Sequence, residues 1–246
     1  MPKGIGTEFM QKTRYEHMSP SPQSQGEPQP PLELPWPEQA HQIDLPAPKE
    51  VKIPPLDLRT AIENRQTVRK YSGQPISLEE LSFLLWCTQG VKQVSRRPAT
   101  LRNVPSAGAR HAFETYLLIN RVTSLASGLY RYSALKHALL EVNLAPDITD
   151  QVTQACLAQE QVSQSAVTFA WVAVVERMFW RYTERGYRYL HLDAGHVCQN
   201  LYLAAEAIGC GVCAIAAFND DAVNQALGLD GEQLFTIYLA SLGKKI

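Results

Sequence analysis

The sequence predicts an α+β domain over residues 56–246, preceded by a proline-rich arm over residues 1–55. Three observations carry this reading. Twelve of the 16 prolines lie in residues 1–55, and four lie in the remaining 191. Beyond that boundary helical spacing comes first, and β-favouring apolar runs then alternate with helices. Hydrophobic residues make up 45% of the chain, enough for a core and too many for a disordered chain.

The arm comes first in the chain. Pro28, Pro30, Pro31, Pro35, Pro37, Pro46 and Pro48 remove backbone donors and fix φ. No regular helix or central strand fits there. A disordered tail is one reading. Leu32, Leu34, Trp36, Ile43 and Leu45 favour the other, an extended arm that wraps another surface.

The domain elements follow in order. Residues 58–64 read as a short helix. Ser77 and Glu80 form a capping box, and Leu78, Leu81, Leu84 and Leu85 continue at helical spacing until Gly90. Residues 113–122 read as a strand, with Tyr116 and Leu118 on one face and Leu117 and Ile119 on the other. Residues 128–132 are a second short strand, and residues 148–161 are helical in pattern. Residues 167–176 are nearly all apolar, as in a strand buried on both faces. Residues 190–208 predict a long helix with Ala194, Val197, Leu201 and Ala205 facing inward. A short helix at 220–227 and a final strand at 234–242 complete the set.

Charge and composition remove several function classes. Lys and Arg total 23 and Asp and Glu total 24, a net charge of −1, which argues against global attraction to nucleic acid. No apolar run approaches the ~20 residues of a membrane helix. The N-terminus shows no secretory pattern, and five cysteines fit a reduced, cytoplasmic protein.

Several clusters have chemical potential. Arg65-Gln66-Thr67-Val68-Arg69 gathers two guanidiniums and a hydroxyl on one side, whether the stretch is a helical turn or extended. Arginine matches phosphate oxygens with parallel donors, although a solvated basic face has the same composition. Pro105-Ser106-Ala107-Gly108 reads as a turn before a strand carrying Glu114 and Tyr116. Cys210 and Cys213 form a C-x-x-C, but four zinc ligands cannot be assembled around it, so no metal is expected. Lys244 and Lys245 are either frayed surface or the completion of a phosphate site begun by Arg65 and Arg69. Arg181 and Tyr182 open a stretch of alternating basic and aromatic residues, and Tyr182 is a candidate proton donor or acceptor.

Taken together, four ordered motifs resemble the FMN-dependent nitroreductase superfamily, and within it the SagB-type dehydrogenases. They are Arg65-x-Thr67-x-Arg69-x-Tyr71, Pro105-Ser106-Ala107-Gly108 through Glu114-x-Tyr116, Asp193-x-Gly195-His196-x-x-Gln199-Asn200-Leu201, and Ile215-Ala216-Ala217-Phe218-Asn219-Asp220. The resemblance spans residues 57–243. It implies a nitroreductase-like fold, with a mixed central sheet flanked by helices, and a homodimer with long interface helices. Two FMN molecules would sit at that interface. Arg65, Gln66, Thr67 and Arg69 would hold phosphate and ribityl chain, with Lys244 or Lys245 closing the phosphate site. Pro105, Ser106, Ala107 and Gly108 would approach the flavin from the partner subunit. Ala214, Ile215, Ala216 and Ala217 would lie along the isoalloxazine edge and offer backbone donors. Arg181 and Tyr182 would be the catalytic pair.

Two departures from the family pattern matter. Ala216-Ala217 stands where two glycines are common. Arg181-Tyr182 stands where azoline-oxidising members carry Lys-Tyr, and arginine stays protonated. The resemblance therefore implies hydride transfer through flavin N5 in a ping-pong cycle, reducing nitro or quinone compounds with NADH or NADPH as transient donor. Its alternatives are oxidation of thiazoline or oxazoline rings in peptides, and a non-catalytic flavin-binding partner subunit. The implied partners are a second copy and a small-molecule or peptide substrate, with no nucleic acid and no membrane.

Overall fold

Three short polar side chains start helices by accepting an amide that the first turn leaves unpaired. Asp57 accepts from Thr60 N–H at 3.0 Å, Ser77 from Glu80 N–H at 3.2 Å, and Asn219 from Ala222 N–H at 3.0 Å. Glu80 returns a contact to Ser77 N–H at 2.9 Å, closing the expected capping box. The structure is a computed structural model and describes residues 4–37, 39–97 and 99–246. In chain order it runs α1 (Ile5–Lys12), β1 (Gln42–Asp44), α2 (Leu58–Asn64), α3 (Leu78–Gln89), β2 (Val91–Val94), β3 (Thr100–Arg102), β4 (Phe113–Ile119), β5 (Gly128–Ser133) and β6 (Ala138–Asn143). It continues through α4 (Ile148–Ala155), β7 (Val167–Val174), α5 (Val175–Tyr182), α6 (Gly186–Glu206), β8 (Cys210–Ile215), α7 (Asp220–Leu227) and β9 (Leu234–Lys244).

Seven strands form one sheet in the order β1-β6-β5-β4-β7-β9-β8. Their pairings are all antiparallel, and among the described residues parallel pairing enters only at isolated bridges such as Thr67 to Val212. Alternation along β4 sends Leu117 and Ile119 to one core and Tyr116 and Leu118 to the other. The first core packs α3 and α6 against the sheet, through Leu81, Leu84, Leu85, Leu190, Val197 and Leu201. The second packs α4 and α7, through Ile148, Val152, Val223 and Leu227. The sheet is therefore covered on both faces, in the α+β arrangement expected.

Several boundaries differ from expectation, each for a local reason. The helix expected over 148–161 ends at Ala155, where Leu157 and Ala158 take φ of 58° and 54°. The Ala155 carbonyl then accepts Asn219 N–H at 2.8 Å, tying the end of α4 to the start of α7. The strand expected over 167–176 ends at Val174, because its apolar run continues into the amphipathic α5. The long helix begins at Gly186, where a Cβ would approach Met178 Cγ to 2.9 Å, so glycine lets α5 and α6 meet. Strands β1, β2, β3, β6 and β8 lack a clear two-residue alternation and were not expected.

The arm is not extended throughout, since α1 lies within it. Its later part runs across its own domain. Arg177 Nη2 and Glu114 Oε1 form a buried ion pair at 2.6 Å, each side chain 3% exposed. The arm supplies two further partners: Arg177 Nε donates to the Pro31 carbonyl at 2.8 Å, and Leu34 N–H donates to Glu114 at 2.8 Å. Arg131 Nη2 takes the Pro35 carbonyl at 2.8 Å, and Ser133 donates to Glu33 at 2.7 Å. Replacing Arg177 by methionine strands a buried carboxylate, so we expect a loss of about 3–5 kcal/mol in urea unfolding. A change below 1 kcal/mol would show that Glu114 is satisfied without its guanidinium.

Candidate functional site

Residues 65–69 leave α2 and run extended beside β8, resolving the two geometries that the spacing allowed. Val68 N–H donates to the Val212 carbonyl at 2.9 Å, and Thr67 bridges Val212 in parallel. Gly211 permits this approach, because a Cβ there would lie 2.5 Å from Val68 Cβ. Gly243 does the same for the Tyr71 ring. Alternate side chains then share one side: Arg65 and Thr67 both reach Tyr202 on α6. The Arg65 guanidinium lies 5.3 Å from the Tyr202 ring centre, and the Thr67 and Tyr202 hydroxyls are 3.3 Å apart. Tyr202 Oη also accepts Ala214 N–H at 3.0 Å. Arg69 lies beside the Cys213 thiol. Among the described residues, neither Arg65 nor Arg69 has a carboxylate within salt-bridge distance. Gln66 is exposed next to them. Two guanidiniums and a hydroxyl without a counter-ion suit a phosphate group.

The lysines differ. Lys244 Nζ pairs with Glu80 and donates to the Ile208 carbonyl at 2.8 Å, while Lys245 Nζ meets Glu206 at 2.6 Å. The structure thus gives both lysines carboxylate partners near the end of α6. Ala214 is likewise engaged through its N–H, Ile215 is buried on β8, and Ala216 and Ala217 are exposed beyond it.

A second cluster joins residues far apart in sequence. Gly108 takes φ of +57°, and a Cβ there would lie 2.4 Å from Tyr182 Oη and 2.8 Å from Arg181 Nε. The Pro105–Gly108 turn and the Arg181–Tyr182 pair are therefore in contact. Ala107 N–H donates to both Asp193 carboxylate oxygens at 3.2 Å, and Ser106 Oγ accepts His111 N–H at 2.9 Å. Burial raises the Asp193 carboxyl above its ordinary value, opposed by contacts from Ser106 and Ala107. Tyr182 packs edge-on to Tyr189 at 4.8 Å. Thr183 follows in a disfavoured conformation (φ 48°, ψ −141°), and backbone strain of this kind often marks a functional segment.

Helix α6 carries both clusters but keeps them apart. Asp193 and Tyr202 are nine residues apart, about two and a half helical turns. They flank the buried stripe on opposite sides. The sequence names Asp193 as the start of the helix motif without giving it a role, and it passes over Tyr202; a carboxylate and a phenol beside the apolar positions of the helix were the available signal. Asn200, from the expected helix motif, donates to the Cys87 carbonyl at 2.9 Å and joins α6 to α3.

The C-x-x-C is strand β8. Cys210 joins the core beneath α6, and Cys213 faces the other side of the sheet, so the two thiols diverge. All five cysteines are free. Burial pushes Cys87 and Cys156 up to about 11 and Cys198 and Cys210 up to about 12.

Comparison with known proteins settles the ancestry. The nitroreductase family model matches residues 62–244. The chain belongs to the nitroreductase family. Within this family it is 30% identical over 205 residues to a Methanocaldococcus jannaschii protein that carries the nitroreductase name, covering 83% of this chain and 97% of that one. It is 29% identical over 131 residues to the trifolitoxin-processing protein TfxB of Rhizobium leguminosarum, covering 52% of this chain and 35% of that one. This chain therefore spans about a third of that protein's length. A nitroreductase-named structure from Anabaena variabilis superposes with a TM-score of 0.66 at 29% identity, over 77% of this chain and 38% of that one. The Escherichia coli microcin synthetase McbBCD complex, with truncated pro-MccB17 bound, shares the fold with a TM-score of 0.62 at 20% identity, over 79% of this chain and 75% of that one.

Two predictions follow from the site of this nitroreductase-family chain. Tyr202→Phe leaves Ala214 N–H without its acceptor and should cost about 1–3 kcal/mol in urea unfolding. Burial, with Arg102 and Arg110 nearby, lowers His111 to about 3 from an ordinary 6.5. Below 6.5 the unfolded chain takes up a proton that the folded chain refuses, so His111 removes stability as pH falls towards 3. His111→Asn should flatten that fall, compared by unfolding at several pH values; an unchanged pH profile would contradict it.

Proposed function

We propose that the chain is an FMN-dependent oxidoreductase acting as a homodimer. The observation that carries this is the pair of unneutralised guanidiniums, Arg65 and Arg69, held with Thr67 on the edge of β8. Those residues would hold the FMN phosphate and ribityl chain, with Gln66 alongside. Ala214, Ile215, Ala216 and Ala217 would border the ring. Lys244 and Lys245 would join only by leaving Glu80 and Glu206.

A second subunit completes the arrangement. The Pro105–Gly108 turn and the Arg65 cluster lie on opposite flanks of α6, so a turn reaching the flavin would come from the partner. Helix α6 exposes Leu192, Gly195, His196 and Gln199, an open stripe suited to a second copy. Beside it lies a groove of about 520 Å³ lined by Pro54, Leu58, Phe83, Trp86 and Leu203.

Bound FMN supplies a two-electron carrier that takes and returns hydride at N5, which supports a ping-pong cycle with NADH or NADPH as donor. Tyr182 would hold or donate a proton at its hydroxyl. Arg181 remains charged and would orient a polar group rather than act as a base. Nitro or quinone compounds are the primary substrate reading. Azoline rings in peptides are the second, favoured by the likeness to a toxin-processing protein. A non-catalytic flavin-binding subunit is the third. Free cysteines support a reducing, cytoplasmic setting, and among the described residues no helix is long and apolar enough to cross a membrane.

Purified protein should show a flavin spectrum that NADH or NADPH bleaches in stopped flow. Colourless protein that stays so with added FMN would end the reading; bound flavin that no donor reduces would favour the non-catalytic one. Turnover of a thiazoline by protein whose flavin neither NADH nor NADPH bleaches would favour the peptide oxidase. Arg69→Ala should weaken FMN binding by about 1.5–3 kcal/mol, the range for a hydrogen bond to a charged group.

A further inference from the structure

A buried guanidinium normally sits against a carboxylate, and Arg102 does not. It lies on β3 and is 6% exposed. Its Nε donates to Thr100 Oγ1 at 3.1 Å and its Nη1 to Gln89 Oε1 at 2.9 Å, both neutral acceptors. Among the described residues no carboxylate stands within salt-bridge distance of it. Burial disfavours its charge; Glu33 and Glu114 offset this only from farther off, and Arg177 opposes them. Both carboxylates are already engaged, Glu33 by Ser133 and Leu135 N–H at 2.7 Å each, Glu114 by Arg177.

Arg102 Nη2 carries no hydrogen bond among the described residues, yet it is not one of the side-chain atoms stranded by burial. It therefore opens to space and not to packed chain. That space is a cavity of about 500 Å³ that Arg102 lines with Lys92, Leu101, Val104, Ser106 and His111. Its charge is one-sided: Lys92 adds a second cation, and no Asp or Glu among the described residues lines it. Burial, then the nearby Arg102 and Arg110, keep the His111 ring neutral near neutrality, so it offers one N–H donor without adding charge. Leu101 and Val104 give the cavity an apolar side. Its volume falls within the range of small-molecule pockets, well beyond what a bare ion fills.

We propose that this cavity binds a small organic anion, its carboxylate or phosphate head on Arg102 and Lys92 and its apolar body along Leu101 and Val104. The head supplies the counter-charge that the chain itself withholds from Arg102. Ser106 belongs to the Pro105–Gly108 turn, and its Oγ accepts His111 N–H, so an occupant touches that turn at its base. Binding itself requires no flavin.

The probes are benzoate and phenyl phosphate, with neutral benzamide as control. Each is titrated into the full-length chain and followed by calorimetry and by NMR of the histidine Cε1–H signals. His111→Asn identifies the His111 signal by its loss. At least one anion should shift that signal and bind about tenfold or more tightly than benzamide, the scale of one charge-assisted hydrogen bond. Lys92→Glu changes an exposed side chain, sets a carboxylate before Arg102, and should weaken that anion by about tenfold or more. Arg102→Gln should do the same, and Lys92→Glu carries the test if that core variant does not fold. Binding that leaves the His111 signal in place, or that ignores Lys92→Glu, would lie elsewhere and overturn the site. No binding by either anion, or benzamide binding as tightly, would overturn the anion assignment. Colourless protein leaves these readings standing, and their failure leaves the flavin assignment standing.

Discussion

A carboxylate and a guanidinium buried side by side constrain much of this chain. Glu114 stands on the central strand β4 and Arg177 on α5, and both are shut away from water. Such a pair gains from every further donor and acceptor that is met. Here the arm meets two of them, with the Pro31 carbonyl on one partner and the Leu34 N–H on the other, while Arg177 Nη1 stays buried without a hydrogen bond among the described residues. The arm is thus part of the domain's polar accounting. One helical turn beyond Arg177 stands Arg181, followed by Tyr182 against the Gly108 turn. The interaction that seats the arm also fixes the helix that presents this pair.

Helix α6 performs the complementary division. Its apolar stripe is buried in the sheet, and its two polar flank residues each gather a loop. Asp193 collects the Pro105–Gly108 turn on one side. Tyr202 collects the Arg65–Arg69 segment and the end of β8 on the other. A helix cannot bring its opposite flanks together, so the two loops stay apart within one chain. In the proposed homodimer, two copies related by symmetry would pair the unlike loops twice over.

Local chemistry was legible where it stayed local. The Ser77–Glu80 capping box marked one helix start, and the alternation in β4 assigned its faces; the caps at Asp57 and Asn219 emerged with the structure. The spacing of Arg65, Thr67 and Arg69 was visible, but Tyr202 meets Thr67 from 135 positions away, and only packing brings it there. The pairing of Lys244 with Glu80 was hidden for the same reason. β8 was obscured by its own requirement: Gly211 is needed under Val68, and a glycine between cysteines reads as a turn or a metal knuckle. α5 was masked because β7 ends without a polar break. The arm's proline content described its backbone well and said nothing of which surface would receive it.

The five thiols bear on the chain's durability. Thiolate is the reactive form of cysteine. With proton affinities raised to about 11 or 12, Cys87, Cys156, Cys198 and Cys210 have almost none of it near neutrality. Electrophiles and peroxides meet an unreactive interior while the fold holds. Cys198 and Cys210 lie in one core and Cys156 in the other, so alkylation of all of them by a bulky reagent records opening of both faces of the sheet.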